Sequence, residues 1–177
     1  MSKIIIMGVK HNNPTSFQKV KTILNNSNAK NALILLEYDM LRYKKHRRKT
    51  ITARFFSGIF GLKKTRFYEF YHLTEYLKKE GFKFKYIDIK GIKLAKQFYR
   101  DSNIKDLFRM ATTGSNNTNN PVFEEYFIKK RETAMIEEIS KDCLKESIKK
   151  VYVILGNDHL DSMKKRLSSK GIECTVL

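Results

Sequence analysis

The 177-residue chain has no apolar stretch approaching the roughly 18–20 residues that would span a bilayer. Its N-terminus runs straight into Ile4-Ile5-Ile6-Met7, too short for a secretory h-region and without a small-residue cleavage site. These absences favour a soluble, cytoplasmic protein with no transmembrane segment. Cysteine is scarce: Cys143 and Cys174 lie in unrelated contexts, with no CxxC and no Cys/His cluster. They read as reduced thiols packed like small apolar residues. Several catalytic templates are also missing. There is no Gly-x-Ser-x-Gly elbow, no P-loop, no GxGxxG and no HExxH. Serine hydrolases of the elbow type, nucleotide-binding folds of those two types and helical zinc peptidases are therefore disfavoured.

Acidic residues are few as well. Eighteen Asp and Glu face 36 Lys and Arg, a net charge of +18. Arg42 to Arg66 holds ten basic residues and no acidic one. Within it Arg42, Lys44, Lys45, Arg47, Arg48, Lys49 and Arg54 form a candidate basic surface. Such a surface attracts anions, whether a substrate, nucleic acid or acidic lipid, or it only aids solubility. The interleaved Tyr43, Phe55, Phe56 and Phe60 would add stacking to phosphate contacts in a nucleic-acid module. The same stretch also suits an anionic membrane surface or a lid over a site.

What is present reads as one α/β domain over residues 1–177. Lys3–Val9 and Val151–Leu155 are short, β-branched apolar runs, and Asn31–Leu36 is a third; all read as buried strands. Phe82–Ile89 and Ile172–Leu177 complete the set. Helices are expected from Thr15 or Ser16 as cap, over Thr65–Lys79 with Gly81 ending it, over Ile92–Met110, from Pro121 to about Ile148, and over Asp158–Ser168 with Gly171 ending it. Thr112–Asn120 is small and polar and reads as a loop. The segment Arg42–Leu62 yields no firm assignment. Strands alternating with helices imply a largely parallel central sheet flanked by helices, with ligands bound beyond the C-terminal strand ends.

Polar groups stand at three of those ends. The first strand leads into Gly8-Val9-Lys10-His11, the second into Glu37-Tyr38-Asp39, and the fourth into Gly156-Asn157-Asp158-His159. Gly8 and Gly156 are expected to let the chain turn sharply. If the strands are parallel neighbours, His11, Glu37 and His159 converge. They would form a divalent-metal site, or an acid–base set with Glu37 as general base. A helix start at His159 would favour its neutral imidazole. Arg131 has Phe127, Ala134 and Met135 as helical neighbours, so its charge calls for an anionic partner, either Glu37 or an anionic substrate or intermediate, unless its stem packs and its head reaches water. Asn12, Asp39 and Asp158, beside these groups, are candidate substrate contacts. His46 and His72 read as surface or packing residues.

The ordered set resembles a known family. Gly8–His11, Leu36-Glu37-Tyr38-Asp39, Arg131-Glu132-Thr133-Ala134-Met135 and Gly156–Leu160 resemble the TraB/PrgY pheromone-shutdown and TIKI proteins, in a superfamily with erythromycin esterase-like (EreA) and ChaN-like proteins. Glu69, in FYEFYHLTEYLKKEG, and Tyr86-Ile87-Asp88 resemble the family's middle helix and strand. The resemblance implies an EreA/ChaN-like α/β fold and a hydrolytic site acting on a peptide or small molecule. In the TIKI branch it implies metal-dependent proteolysis. By that resemblance His11, Glu37 and His159 would be metal ligands or acid/base groups, and Arg131 would hold Glu37 or a developing oxyanion. The esterase-like relatives imply a metal-free variant.

Overall fold

A computed structural model describes residues 3–11, 13–27, 29–60, 68–89, 91–101, 124–143 and 147–177. Asn12, the loop expected over 112–120 and the helical continuations expected over 102–110, 121–123 and 144–146 lie outside the described residues. So do residues 65–67 of the helix expected from Thr65.

Among the described residues, five strands build one sheet: β1 (Lys3–Val9), β2 (Leu33–Leu36), β3 (Lys83–Tyr86), β4 (Lys150–Gly156) and β5 (Cys174–Val176). Their order is β3-β2-β4-β1-β5, and every pairing is parallel. The fold is α/β with an all-parallel sheet flanked by helices. β1 and β4 are continuous apolar runs because both sheet faces are covered. Alternate residues serve the two faces. Ile5, Met7, Ile34, Leu36, Tyr152 and Ile154 pack with Val20, Leu24, Phe70, Leu73 and Leu77. Ile4, Ile6, Leu35, Val151, Val153 and Leu155 pack with Met135, Ile136, Ile139, Met163 and Leu167.

The first layer is supplied by α1 (Pro14–Asn26) and α3 (Glu69–Lys79), the second by α5 (Lys130–Cys143) and α6 (Leu160–Ser168). Between them in the chain come α2 (Met40–Phe60) and α4 (Gly91–Asp101). Among the described residues, no helix is long and apolar enough to cross a membrane.

Several boundaries differ from expectation. Helix α1 is capped by Asn13, whose side chain accepts the Thr15 N–H, not by Thr15 or Ser16. Pro14 explains this, since its fixed φ suits the first helical position. The third and last strands are shorter than Phe82–Ile89 and Ile172–Leu177, because both are edge strands paired on one side only. A π-helical turn, Glu124–Lys129, precedes α5. The basic segment that sequence left unassigned is one 21-residue helix. Gly81 and Gly171 adopt φ of +73° and +72°, as expected of helix-ending glycines.

Topology places the crevice. From β1 the chain moves through β2 and β3 to one edge; from β4 it moves past β1 to β5 at the other. The direction reverses between the neighbours β1 and β4, where a parallel sheet opens a cleft at its C-terminal ends. Register then brings the site residues level. Val9 lies opposite Gly156, and Leu36 opposite Ile154.

Candidate active site

Each central strand releases one polar side chain into that crevice. His11 leaves β1, Glu37 follows β2 directly, and His159 follows β4 after a single 3-10 turn, Asn157–His159. Together with Arg131 they line a cavity of about 460 Å³. Asp158, Tyr38, Tyr68, Glu69 and Phe70 also line it, as does one side of α2.

Glu37 is the hub. Its side chain is 4% exposed. One carboxylate oxygen accepts the Gly156 N–H at 2.6 Å; the other accepts from Arg131 Nη2 at 2.7 Å and lies 3.3 Å from His159 Nε2. Burial opposes its ionisation. The bond from His159, the charge of Arg131 and the backbone N–H outweigh burial and hold the carboxyl at about 2.

Arg131 finds the anionic partner its apolar surroundings demanded, and a second one. Its Nε and Nη2 donate to the two oxygens of Asp88 at 3.0 and 2.8 Å, beyond the end of β3. Burial works against its charge, but Asp88 and Glu37 more than offset this and raise its pKa. Arg42 donates to the same Asp88 at 2.9 Å.

The two histidines share a design. A carboxylate can only accept, so the hydrogen bond between His11 Nδ1 and Glu69 places the proton on Nδ1 and turns Nε2 toward the cavity floor. That bond raises the His11 pKa against the opposing effect of burial. His159 Nδ1 likewise donates to Glu132 at 2.9 Å, while its Nε2 faces Glu37. Glu132 is itself held by Ser162 at 2.5 Å and Arg166 at 3.3 Å. The bonds to Glu132 and Glu37 raise His159 to about 9. The expected neutral His159 is thus corrected: two adjoining carboxylates outweigh a helix terminus.

The role expected of the two glycines changes as well. Gly156 has an ordinary φ of −61°. A Cβ there would lie 3.2 Å from His11 Nε2 and 3.4 Å from Glu37 Oε2, so the glycine provides room for both groups to meet over the strand end. At Gly8 a Cβ would collide with Asn157 and Leu160. Close approach, not a turn, is what these positions require.

Other candidates fall elsewhere. Asp39 is buried and accepts the N–H groups of Leu41 and Arg42 at 2.8 and 3.0 Å; it is the N-cap of α2 and does not line the cavity. Asp158 is exposed on the rim. Of the basic residues, Arg42, Lys45 and Lys49 line the cavity, whereas Lys44, Arg47 and Arg48 are exposed and do not. Arg54 lies on α2, and its side chain is outside the described set. His46 packs on Tyr68 at 4.1 Å between ring centroids and hydrogen-bonds Tyr38 at 2.6 Å, so it is both a packing residue and part of the cavity wall. His72 packs edge-on against Tyr71.

Glu69, Glu132 and Asp88 received no site role from the sequence alone. Glu69 and Glu132 nonetheless carried a signal. Each is a carboxylate on an apolar helix stripe: Glu69 with Leu73, and Glu132 with Met135, Ile136 and Ile139. Such residues are rarely buried unless paired.

The donor types suit a divalent ion in kind: both histidines direct Nε2 inward and have Nδ1 backed by a carboxylate, which fixes metal-binding imidazoles. Among the described residues, however, no three His, Cys, Asp or Glu side chains are placed as a metal-binding group. Glu37 is instead occupied by Arg131 and Gly156. Compared with family models, curated proteins and solved structures, the chain finds no match in any of the three.

Proposed function

We propose that this chain is a hydrolase of the TraB/TIKI kind suggested by its ordered motifs, acting on an ester or amide bond of a peptide or small molecule by acid–base chemistry. One observation carries the reading. His11 is an imidazole oriented by a buried carboxylate, its Nε2 directed at a cavity floor shared with Glu37 and the charged His159. A carboxylate behind an imidazole selects the tautomer and stabilises the imidazolium that forms when the far nitrogen takes a proton. His11 therefore serves as general base toward a water molecule.

His159 supplies the acid. Its Nε2 lies 3.3 Å from Glu37 and the residue lines the cavity, so its proton stands beside the place where a leaving group would depart. Glu37 keeps His159 charged, and Arg131 keeps Glu37 ionised and in place. The roles of general base and charged hub thus fall to His11 and Glu37 respectively.

A divalent ion is the second reading, favoured by the carboxylate behind each Nδ1. His11, Glu37 and His159 would hold it, and it would supply an acidified water. Protein purified without an affinity tag, then treated with chelator, separates the two. Ester or peptide hydrolysis that survives at near-zero metal and is lost in His11→Ala supports the acid–base reading. Hydrolysis lost on chelation and restored by a divalent ion assigns the metal. Absence of turnover on aryl esters and peptide libraries sinks both.

A further inference from the structure

Helix α2 lays one stripe against the cavity. Arg42, Lys45, His46 and Lys49 all line it, at helical spacings of three and four that place them on one face. Lys44, Arg47 and Arg48 occupy the opposite, solvent-exposed side. From Arg42 to Lys49, seven helical steps, the stripe extends about 10 Å along the rim.

The positive charge of that stripe is only partly answered. Arg42 is paired with Asp39 and Asp88. Lys45 and Lys49 have no ion pair among the described residues. Among the described residues, the anions lining the rest of the cavity are Glu37, Glu69 and Asp158. Glu37 is engaged by Arg131 and His159, and Glu69 by His11. Asp158 lies on β4's exit turn. The part of the cavity wall that α2 supplies is therefore cationic. His46, set in its middle, registers that field: burial lowers its pKa, and Lys49, Lys45 and Arg42 lower it further.

We infer that the substrate is a phosphorylated small molecule, whose phosphate is received by Lys45 and Lys49, with Arg42 beside them, while its scissile bond meets His11 and His159. A doubly charged phosphate matches two adjacent ammonium groups and a guanidinium better than a singly charged carboxylate does. A cavity of about 460 Å³ is the size of a small-ligand site. The inference rests on reading this cavity as the place where a bond is broken.

The test uses the full chain and inorganic pyrophosphate as probe, followed by calorimetry or NMR titration at low salt. Three variants are compared with wild type: Lys45→Ala/Lys49→Ala, Lys44→Ala/Arg48→Ala, and His11→Ala. The two double variants remove the same net charge from opposite sides of one helix. The expected result is roughly tenfold or greater weakening in the cavity-side pair and less than about twofold in the outer pair. His11→Ala should still bind, which separates failure of this inference from failure of the hydrolase reading. An equal loss in both double variants would mean attraction to overall charge and would overturn the inference, as would undetectable pyrophosphate binding. A short single-stranded oligonucleotide bound chiefly through Lys44 and Arg48 would assign the helix to nucleic acid and overturn it too. A second arm compares an aryl ester with the same ester carrying a phosphate. Wild type should prefer the phosphorylated ester, and the cavity-side variant should lose that preference; equal rates in wild type contradict the proposal.

Discussion

Replacing Arg131 with Met removes the cation between two buried carboxylates and keeps the apolar stem. Glu37 and Asp88 are 4% and 0% exposed, and Arg131 approaches them at 2.7 and 2.8 Å. At an effective dielectric near 20, charge centres about 4 Å apart, as in such a contact, attract by about 4 kcal/mol before desolvation. The variant keeps both carboxylates buried, so their desolvation cost stays while the compensation goes. Residual partners soften the loss: Asp88 retains Arg42, and Glu37 retains Gly156 and His159. A destabilisation of about 3–5 kcal/mol follows, as for other broken buried pairs, out of a total of about 5–15. Urea unfolding followed by far-ultraviolet circular dichroism measures it. The penalty should depend on pH. Glu37 in the folded wild type sits near 2, below its ordinary 4.5, so its stabilisation is present above about 4.5 and lost as pH falls toward 2. Without Arg131 its carboxyl takes up a proton at higher pH, and the cost of the substitution shrinks on acidification. Adding Glu37→Gln should cost less than the sum of the two single changes. A loss below about 1 kcal/mol at neutral pH, or one that does not change with pH, would refute this account.

Other expectations concern the reacting groups. His11→Ala should lower turnover by roughly 10²–10⁴ while unfolding changes by less than about 1 kcal/mol, because that side chain is 55% exposed. Gly156→Ala should leave unfolding nearly unchanged, its φ of −61° suiting alanine, yet reduce kcat roughly tenfold by pushing His11 away; unchanged turnover would contradict the packing role. The rate should fall at alkaline pH with an apparent pKa of about 9, set by His159. Glu132→Gln, which removes the largest influence raising His159, should move that limb to lower pH; an unmoved limb assigns it to another group. Stability follows the same group. Because His159 is raised above its ordinary 6.5, its contribution is complete below that value and lost as pH rises through about 9, which pH-dependent melting of wild type and His159→Gln would reveal.

The strand ends were legible because each carries its chemistry in consecutive residues. Apolar runs stopping at Gly-x-x-His or at Leu-Glu announce a buried strand and the polar group beyond it. Arg131 was legible for a related reason: a charge among Ala134 and Met135 implies a partner. The partners of the histidines were harder. Glu69 lies 58 residues from His11, and Glu132 lies 27 from His159. Nothing local ties either carboxylate to its imidazole, although each breaks an apolar helix stripe. Asp39 shows the opposite error. Its place after Leu36-Glu37-Tyr38 suggested a substrate contact, but a carboxylate directly before a helix is equally fitted to cap it, and here it does. Helix α2 was obscured because its charges surround it; only packing selected which of them face the cavity.

By itself, then, the sequence determined the five strands, the helices other than α2, the parallel character of the sheet and the identity of the central polar groups, since these follow from apolar periodicity and from polar residues adjoining it. Strand order was decided by the tertiary structure. Inserting β4 between β2 and β1 brings His11, Glu37 and His159 to one crevice, and that choice depends on how helices cover both sheet faces. Protonation was decided there too. The charge of His159 and the low pKa of Glu37 arise from groups distant in sequence and a few ångströms apart in space, and electrostatic energy depends on the second separation alone.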